Sequence, residues 1–424
     1  MNKIKITIVG AGYVGLPLSI EFGKKFHTTA IEISKKRLSL LNKKKDPGKE
    51  VSIDDFKKAK YLKFSNNYNS ISESDYIFVT IPTPVNYLNK PDLSGLKKCT
   101  VEIAKKIKKK TIIIYESTFF PGLTEEICLP LLIRNSNYKF GKDFFIGYSP
   151  ERINPGDKKK IVNINKLVSA SHKFALNKIY KLYKKIIKAK VIKVSTIKVA
   201  ETAKVFENVQ RDTNIALANE LAMMTKKLNI STMDVINAAS TKWNFVKYVP
   251  GLVGGHCISV DPYYLSYKSK IEGFDAKFIN LARKINNGIV DFLYYEIKKI
   301  INKRYDKDKV KILILGLSYK ENVADFRNSK AIEVAKKLKN NYSKVFFYDP
   351  LINNEYLKKI GLKIIDIWKT NNKFDAIVLL VPHKIIIKSF EKLVIKNTNK
   401  NSTIFDIKSA IKSSVVANRH HWML

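Results

Sequence analysis

Residues 251–265 read GLVGGHCISVDPYYL and put Cys257 on a stretch opened by three glycines, with Asp261 four residues beyond it. A structural cysteine behaves as a small hydrophobe on an apolar face. A thiol that meets a substrate needs backbone clear of side chains, so that a ligand can approach. The plainer alternative is a glycine-rich turn that holds a thiol by chance. Cys99, Cys128 and Cys257 are odd in number and widely spaced, which argues against a disulfide framework and for a reducing compartment. There is no CxxC pair, the six histidines form no ligand-spaced cluster, and the adjacent His256 and Cys257 are poorly placed to chelate one ion. No metal is expected.

A second constellation lies in ETAKVFENVQRDTNIALANE (201–220), where spacings of four and three put Lys204, Asn208 and Arg211 on one helical face. Ala203, Phe206 and Leu217 point elsewhere and are expected to pack. A single lysine in a lysine-rich chain is ordinarily solvated. A lysine, an amide and an arginine together are harder to read that way.

The third is GAGYVG (10–15), a GxGxxG that follows the strand KITIV and opens a helix. Its first glycine permits the tight turn, the second lets backbone approach a pyrophosphate, and the third lets helix pack on strand. The phosphates then face a helix N-terminus. Gly10, Gly12, Tyr13, Val14 and Gly15 form this cradle. Glu32 ends the next strand about 20 residues on, where an acid binds the ribose hydroxyls and favours NAD over NADP. Lys36 and Arg37 beside it keep a 2′-phosphate in consideration. Farther on, GLSYKENVADFR has only Gly316 at the corresponding turn, which suits a nucleotide of another kind.

The elements that must carry these groups can be read from periodicity. Short β-branched and aromatic runs at 5–9, 28–33, 75–82, 111–118 and 143–150 alternate with helical patterns, as in a parallel doubly wound sheet. A helix without proline or glycine runs from about 197 to 229, and another near 274–302. From 309 the α/β pattern restarts, with strands at KVKILILG, KVFFYDP, FDAIVLLVP and STIFDI. The expected fold is α/β: two Rossmann-like parallel-sheet domains joined by a long central helix and a helical middle domain. The boundaries fall at 1–195, 196–305 and 306–424. The tail ANRHHWML reads as a flexible end rather than a metal site.

A chain of 424 residues needs more than one core. Its apolar N-terminal run is strand-length, so it is not read as a signal peptide, and no stretch approaches the ~20 apolar residues of a membrane span. A cytoplasmic protein without a membrane partner is expected. The formal charge of +41 raises a nucleic-acid reading, but the lysines are spread along the chain and only eight of the 78 basic residues are arginine. Nucleic-acid recognition favours arginine's fork. No nucleic-acid partner is expected, and the surviving Arg152, Arg211 and Arg327 are singled out because a planar bidentate contact is what lysine cannot replace.

The ordered set GAGYVG, IPTP (81–84), YESTFFPGLTEE (115–126), SPERINPG (149–156), KVFENVQRDTNIALANE, GLVGGHCISVDPYYL and GLSYKENVADFRNSKA resembles the UDP-sugar 6-dehydrogenases of the UDP-glucose/GDP-mannose dehydrogenase family, from residue 5 to about 410. VGGHC with VDPYYL looks more like the branch acting on UDP-N-acetylglucosamine or UDP-N-acetylgalactosamine for capsule or O-antigen sugars. Ser259 and Val260 stand where UDP-glucose enzymes more often have proline and lysine.

The resemblance implies a four-electron oxidation of the 6-hydroxyl to a carboxylate with two NAD in succession, through a thiohemiacetal and a thioester on Cys257. It implies that Lys204 and Asn208 stabilise the oxyanion and that Asp261 assists. By the same resemblance Thr118 and Glu151 would hold the water and contact cofactor, with Thr83 beside it. Lys204, Asp261 and Glu151 all remain candidates for the general base. Lys320 and, with less of the family pattern around it, Lys247 would bind substrate together with Glu151, Arg152, Arg211 and Gly254. Arg37 and Arg327 would bind NAD, although Arg327 has Asp325 as a near partner. A homodimer or higher homo-oligomer built on the 197–229 helix is also implied. Two rival readings are the same chemistry on UDP-glucose or UDP-N-acetylmannosamine, and a catalytically dead basic scaffold or nucleic-acid-binding protein.

Overall fold

Strands in a parallel sheet covered on both faces have to be apolar throughout. YIFV, TIIIY and FFIGY meet that condition and are buried at every position. In a computed structural model of the chain, which describes residues 4–48, 50–86, 88–153, 159–352, 354–416 and 419–424, they form the middle of an eight-stranded sheet. Residues 154–158, within and just after SPERINPG, lie outside the described residues.

The sheet's strands are β1 (Lys5–Val9), β2 (His27–Ile31), β3 (Leu62–Ser65), β4 (Tyr76–Val79), β5 (Thr111–Tyr115), β6 (Phe144–Tyr148), β7 (Lys166–Ala170) and β8 (Val191–Lys193). Their order is β3-β2-β1-β4-β5-β6-β7-β8. All pairs are parallel except β6–β7, which is antiparallel and departs from the all-parallel expectation. Ile8, Phe22, Phe78, Ile114 and Tyr183 lie in the core on one face.

A second sheet has the order β10-β9-β11-β12-β13, with β9 (Lys311–Leu315), β10 (Lys344–Tyr348), β11 (Phe374–Leu379), β12 (Thr398–Asp406) and β13 (His420–Met423), all parallel. His420–Met423 of the tail are therefore an edge strand rather than a flexible end, while Ala417 and Asn418 lie outside the described residues. Trp422 and Leu424 are buried, and the Lys226 ammonium stands 4.5 Å from the Trp422 ring.

The chain divides into two compact units, one formed by the residues up to Glu207 with Tyr263–Asp275, the other by Asn208–Pro262 with Ala276–Leu424. The central helix Ile197–Leu228 leaves the first at Glu207 and enters the second at Asn208. In each sheet the strand order reverses beside the first strand, between β1 and β4 and between β9 and β11. Ligands of open α/β sheets bind outside the carboxyl ends at such points.

Candidate active site

In the first unit, the turn after β1 meets the requirements of a pyrophosphate cradle one glycine at a time. Gly10 has φ +98°, which only glycine adopts without strain, and its amide donates to the Ile31 carbonyl at 2.9 Å. A Cβ on Gly15 would lie 1.8 Å from the Gly10 carbonyl oxygen and 2.4 Å from Thr80 Oγ1, so the helix Gly15–Gly23 packs on β1 only with glycine there. A Cβ on Gly12 would meet nothing within 4 Å, which leaves its backbone open to a ligand.

Glu32 follows β2, and its Oε1 accepts from the Ser34 amide at 2.8 Å. Arg37 Nε donates to the Ala11 carbonyl at 2.8 Å and stands 3.7 Å from Glu32 Oε2, while its Nη2 is 3.4 Å from Asp46. Arg37 thus braces the glycine turn and the acid, with its charge matched by two carboxylates. Thr83 Oγ1 donates to the Thr118 carbonyl at 2.7 Å and joins the IPTP turn to the segment after β5. These residues fit a dinucleotide of the NAD kind.

Past β6, Glu151 turns its carboxylate back on its own chain: Oε1 accepts from the Arg152 and Ile153 amides, both at 2.6 Å. The other oxygen is buried, makes no hydrogen bond among the described residues and lies 3.5 Å from Lys166 Nζ. Lys166 is itself buried and hydrogen-bonds Glu116 at 2.6 Å and the Pro150 carbonyl at 3.2 Å. Tyr183 donates to the other Glu116 oxygen. One ammonium therefore faces two carboxylates. Burial opposes the Lys166 charge, but Glu116 and Glu151 outweigh it and raise its pKa above the ordinary lysine value. Burial raises Glu116, against the pull of Lys166. Arg152 forks onto Glu207, with Nη2 at 2.5 Å and Nε at 3.2 Å.

In the second unit, Asn208 Nδ2 donates to Asp261 Oδ2 at 2.5 Å, and both side chains are buried. Cys257 belongs to the same turn as Asp261, since its carbonyl accepts from the Val260 and Asp261 amides at 3.1 and 2.8 Å. Its side chain is half-buried, whereas Cys99 and Cys128 are buried. Burial pushes the Cys99 thiol up to about 12 and the Cys128 thiol up as well, so neither supplies a thiolate at neutral pH.

The glycines before Cys257 serve a purpose the sequence does not suggest. A Cβ on Gly254 would lie 2.5 Å from the Asn328 carbonyl oxygen, and one on Gly255, at φ +88°, 2.7 Å from the Tyr319 ring. They admit the chain's own 316–331 segment rather than only a ligand. Asn219, on the central helix, fixes the other end: it accepts from the Gly251 amide at 2.7 Å and donates to the Gly251 carbonyl at 3.1 Å. Asn286 and the Arg283–Asp212 pair continue that buried network.

Lys204 is buried one turn before Asn208, while Arg211, third on the expected face, is exposed. Lys247 is exposed and donates to Asn237 at 2.8 Å. Lys320 is half-buried, on the segment that covers Gly255. Arg327 pairs with Asp325, with Nη2 at 2.7 Å. Phe206 and Leu217 lie away from the Lys204–Asn208 face as expected, but they are exposed instead of packed.

After β10, Asp349 occupies the position that Glu32 has after β2. Its carboxylate accepts from the amides of Leu317, Ser318, Leu351 and Ile352 and lies 3.1 Å from His383 Nε2. Burial would raise its pKa, but the His383 contact and the amides bring it below the usual carboxylate range. With its oxygens taken, it is not available to a ribose. Among the described residues no group of three His, Cys, Asp or Glu side chains is placed to hold a metal ion, and no helix is long and apolar enough to cross a membrane.

Three profiles of the UDP-glucose/GDP-mannose dehydrogenase family match in order: the NAD binding domain over residues 4–187, the central domain over 198–288 and the UDP binding domain over 313–413. The UDP-N-acetyl-D-glucosamine 6-dehydrogenase of Salmonella typhi is 42% identical over 91% of each chain. Protein CapL of Staphylococcus aureus is 41% identical over 97% of each. Among solved structures, the UDP-D-ManNAc dehydrogenase of Pyrococcus horikoshii superposes with a TM-score of 0.89 at 27% identity over 99% of each chain. The motifs, the two sheets and these likenesses agree, and the chain belongs to the UDP-glucose/GDP-mannose dehydrogenase family, an NAD-dependent oxidoreductase.

Proposed function

We propose that the chain oxidises the 6-hydroxyl of a UDP-N-acetylhexosamine, UDP-N-acetylglucosamine or UDP-N-acetylgalactosamine, to the uronic acid in a four-electron reaction. The observation that carries this is the one half-buried thiol, Cys257, on the same turn as the Asp261 that Asn208 holds at 2.5 Å. The acetamido sugar is supported by relatives from Salmonella typhi and Pseudomonas aeruginosa, 42% and 40% identical, both named UDP-N-acetyl-D-glucosamine 6-dehydrogenase.

Bound NAD supplies the hydride acceptor, and the remaining work falls to side chains. Gly10, Gly12, Tyr13, Val14 and Gly15 cradle the cofactor, with Glu32, Arg37, Thr83, Thr118, Glu151 and Arg327. Glu151, Arg152, Lys204, Asn208, Arg211, Lys247, Gly254 and Lys320 bind the sugar nucleotide. The Cys257 sulfur adds to the aldehyde carbon to give a thiohemiacetal, while Lys204 and Asn208 donate to the oxygen as it gains charge. After the second oxidation, water adds to the thioester carbon, the thiolate leaves and the carboxylate is the product. Asp261, Lys204 and Glu151 are the groups in line to take the water's proton.

In this reading 1–195 binds NAD, 196–305 carries the thiol and 306–424 binds the UDP-sugar. The protein works in the cytoplasm on capsule or O-antigen precursors, without a nucleic-acid or membrane partner. A homodimer or higher homo-oligomer is supported by Val199, Phe206, Leu217, Met224 and Leu228, all exposed on one side of the central helix at about 3.6 residues per turn.

The test is NADH formed per sugar consumed, with UDP-N-acetylglucosamine, UDP-N-acetylgalactosamine, UDP-N-acetylmannosamine and UDP-glucose offered separately. Two NADH per N-acetylglucosamine or N-acetylgalactosamine nucleotide is the expected result. Turnover of only UDP-glucose or UDP-N-acetylmannosamine would overturn the substrate, and none at all would overturn the reaction.

A further inference from the structure

The lysine on β7 is unlike most lysines of this chain. Lys166 has 3% of its side chain exposed, in a protein with 78 lysines and arginines and 37 acids. Burying an ammonium is costly unless partners replace its water. Here they do: Glu116 at 2.6 Å, the Pro150 carbonyl at 3.2 Å and Glu151 at 3.5 Å. A purely structural ion pair needs one carboxylate. The second, Glu151, has one oxygen fixed by two backbone amides and its other oxygen turned toward the ammonium.

We propose that Lys166 is a positioning residue for Glu151: its buried ammonium, shared with Glu116, faces the free Glu151 oxygen and holds that carboxylate in place after β6. This rests on the reading of Glu151 as a group that touches water and cofactor. The charged and titratable groups around it are Lys166 on β7, Glu116 after β5, Tyr183 on the helix Lys173–Lys184, which reaches Glu116, and the adjacent Arg152, whose charge is matched by Glu207. Tyr183 takes the Glu116 oxygen that Lys166 does not, and its ring lies 5.3 Å from the same ammonium, so Glu116 and Glu151 share one charge. Removing Lys166 and removing Glu116 should move Glu151 in opposite directions.

The experiment follows the Glu151 carboxyl directly, by 13C NMR titration of protein labelled at glutamate Cδ, with E151Q identifying the resonance. In K166M its midpoint should rise by about one pH unit or more, the scale set by an opposite charge at this distance. K166R should restore it, and E116Q should lower it. The acid limb of kcat/KM should move with the midpoint. If K166M does not fold, K166M/E116Q, which removes both buried charges, is compared with E116Q, and the same rise is expected. A midpoint that stays put in folded K166M, or in the double variant against E116Q, overturns the proposal. The titration needs no turnover, so a wild-type protein that forms no NADH defeats the proposed function and leaves this result standing.

Discussion

The three cysteines occupy two environments, and only one of these suits the thiol of the proposed reaction. Cys99 and Cys128 are buried with raised pKa values, and Cys257 is half-buried beside the first turn of the helix Asp261–Ile271. If the proposed thioester route holds, Cys257→Ala should therefore lose at least about a thousandfold in uronic acid formed per minute, because covalent capture of the aldehyde is gone. NAD affinity, read by fluorescence titration, should stay within about twofold, since the cradle around Gly10–Gly15 is untouched. Full turnover in this variant would remove the thioester route. The same selection applies to arginines. Arg152 and Arg327 each hold a carboxylate, on Glu207 and Asp325, so any role toward a ligand requires sharing or exchanging that partner.

At the scale of elements, two loops are fixed by buried polar side chains. Asn219 pins Gly251 on the Cys257 loop, and Asp349 gathers the turns after β9 and β10. Asp349 gives a pH dependence whose sign can be worked out. Its folded pKa is depressed, so its contribution is fully present above the unfolded value near ~4 and is lost as pH falls through the folded value. Asp349→Ala should lower stability at pH 7 by about 3 kcal/mol, since it leaves several buried amides without an acceptor. The gap to wild type should narrow as the pH is taken below about 4. Urea melts at pH 7 and pH 3 compare the two, and an equal gap at both would show that the Asp349 charge contributes nothing.

For the whole molecule, the exposed side of the central helix is the feature a lone chain does not explain. Phe206 is 57% and Leu217 66% exposed on the side opposite Lys204 and Asn208, and Met224 and Leu228 continue the stripe. Apolar residues aligned over about 33 Å of helix are the kind of surface that a partner covers. If the proposed oligomer packs on this stripe as a dimer, Leu217→Glu should shift sedimentation from dimer to monomer at micromolar concentration, through an unpaired charge in an apolar contact. The far-UV spectrum should be unchanged, because the position faces away from the core. A dimer unaffected by Leu217→Glu would place the interface elsewhere.

Much of the fold was legible because its signals are local. Alternating apolar runs gave the main strands, and the glycine spacing with Glu32 marked the dinucleotide turn. The spacing of Lys204 and Asn208 gave their shared face. Weak or short strands were not legible: LKFS, KLVSA, VIK and HHWM have little of the apolar run that marks a strand. Nor was Lys166, because composition makes any one lysine look solvated until β7 carries it inside. The glycines before Cys257 show the same boundary. Their need for open backbone is written in the residue type, but that Asn328 and Tyr319 fill the space follows from contacts more than 60 residues apart. The sequence by itself determined which chemistry was available: a thiol, an ammonium, amides and carboxylates on periodic elements. Only the tertiary structure decided which of those groups lost their water, and burial is what turns one lysine among many into the partner of Glu151.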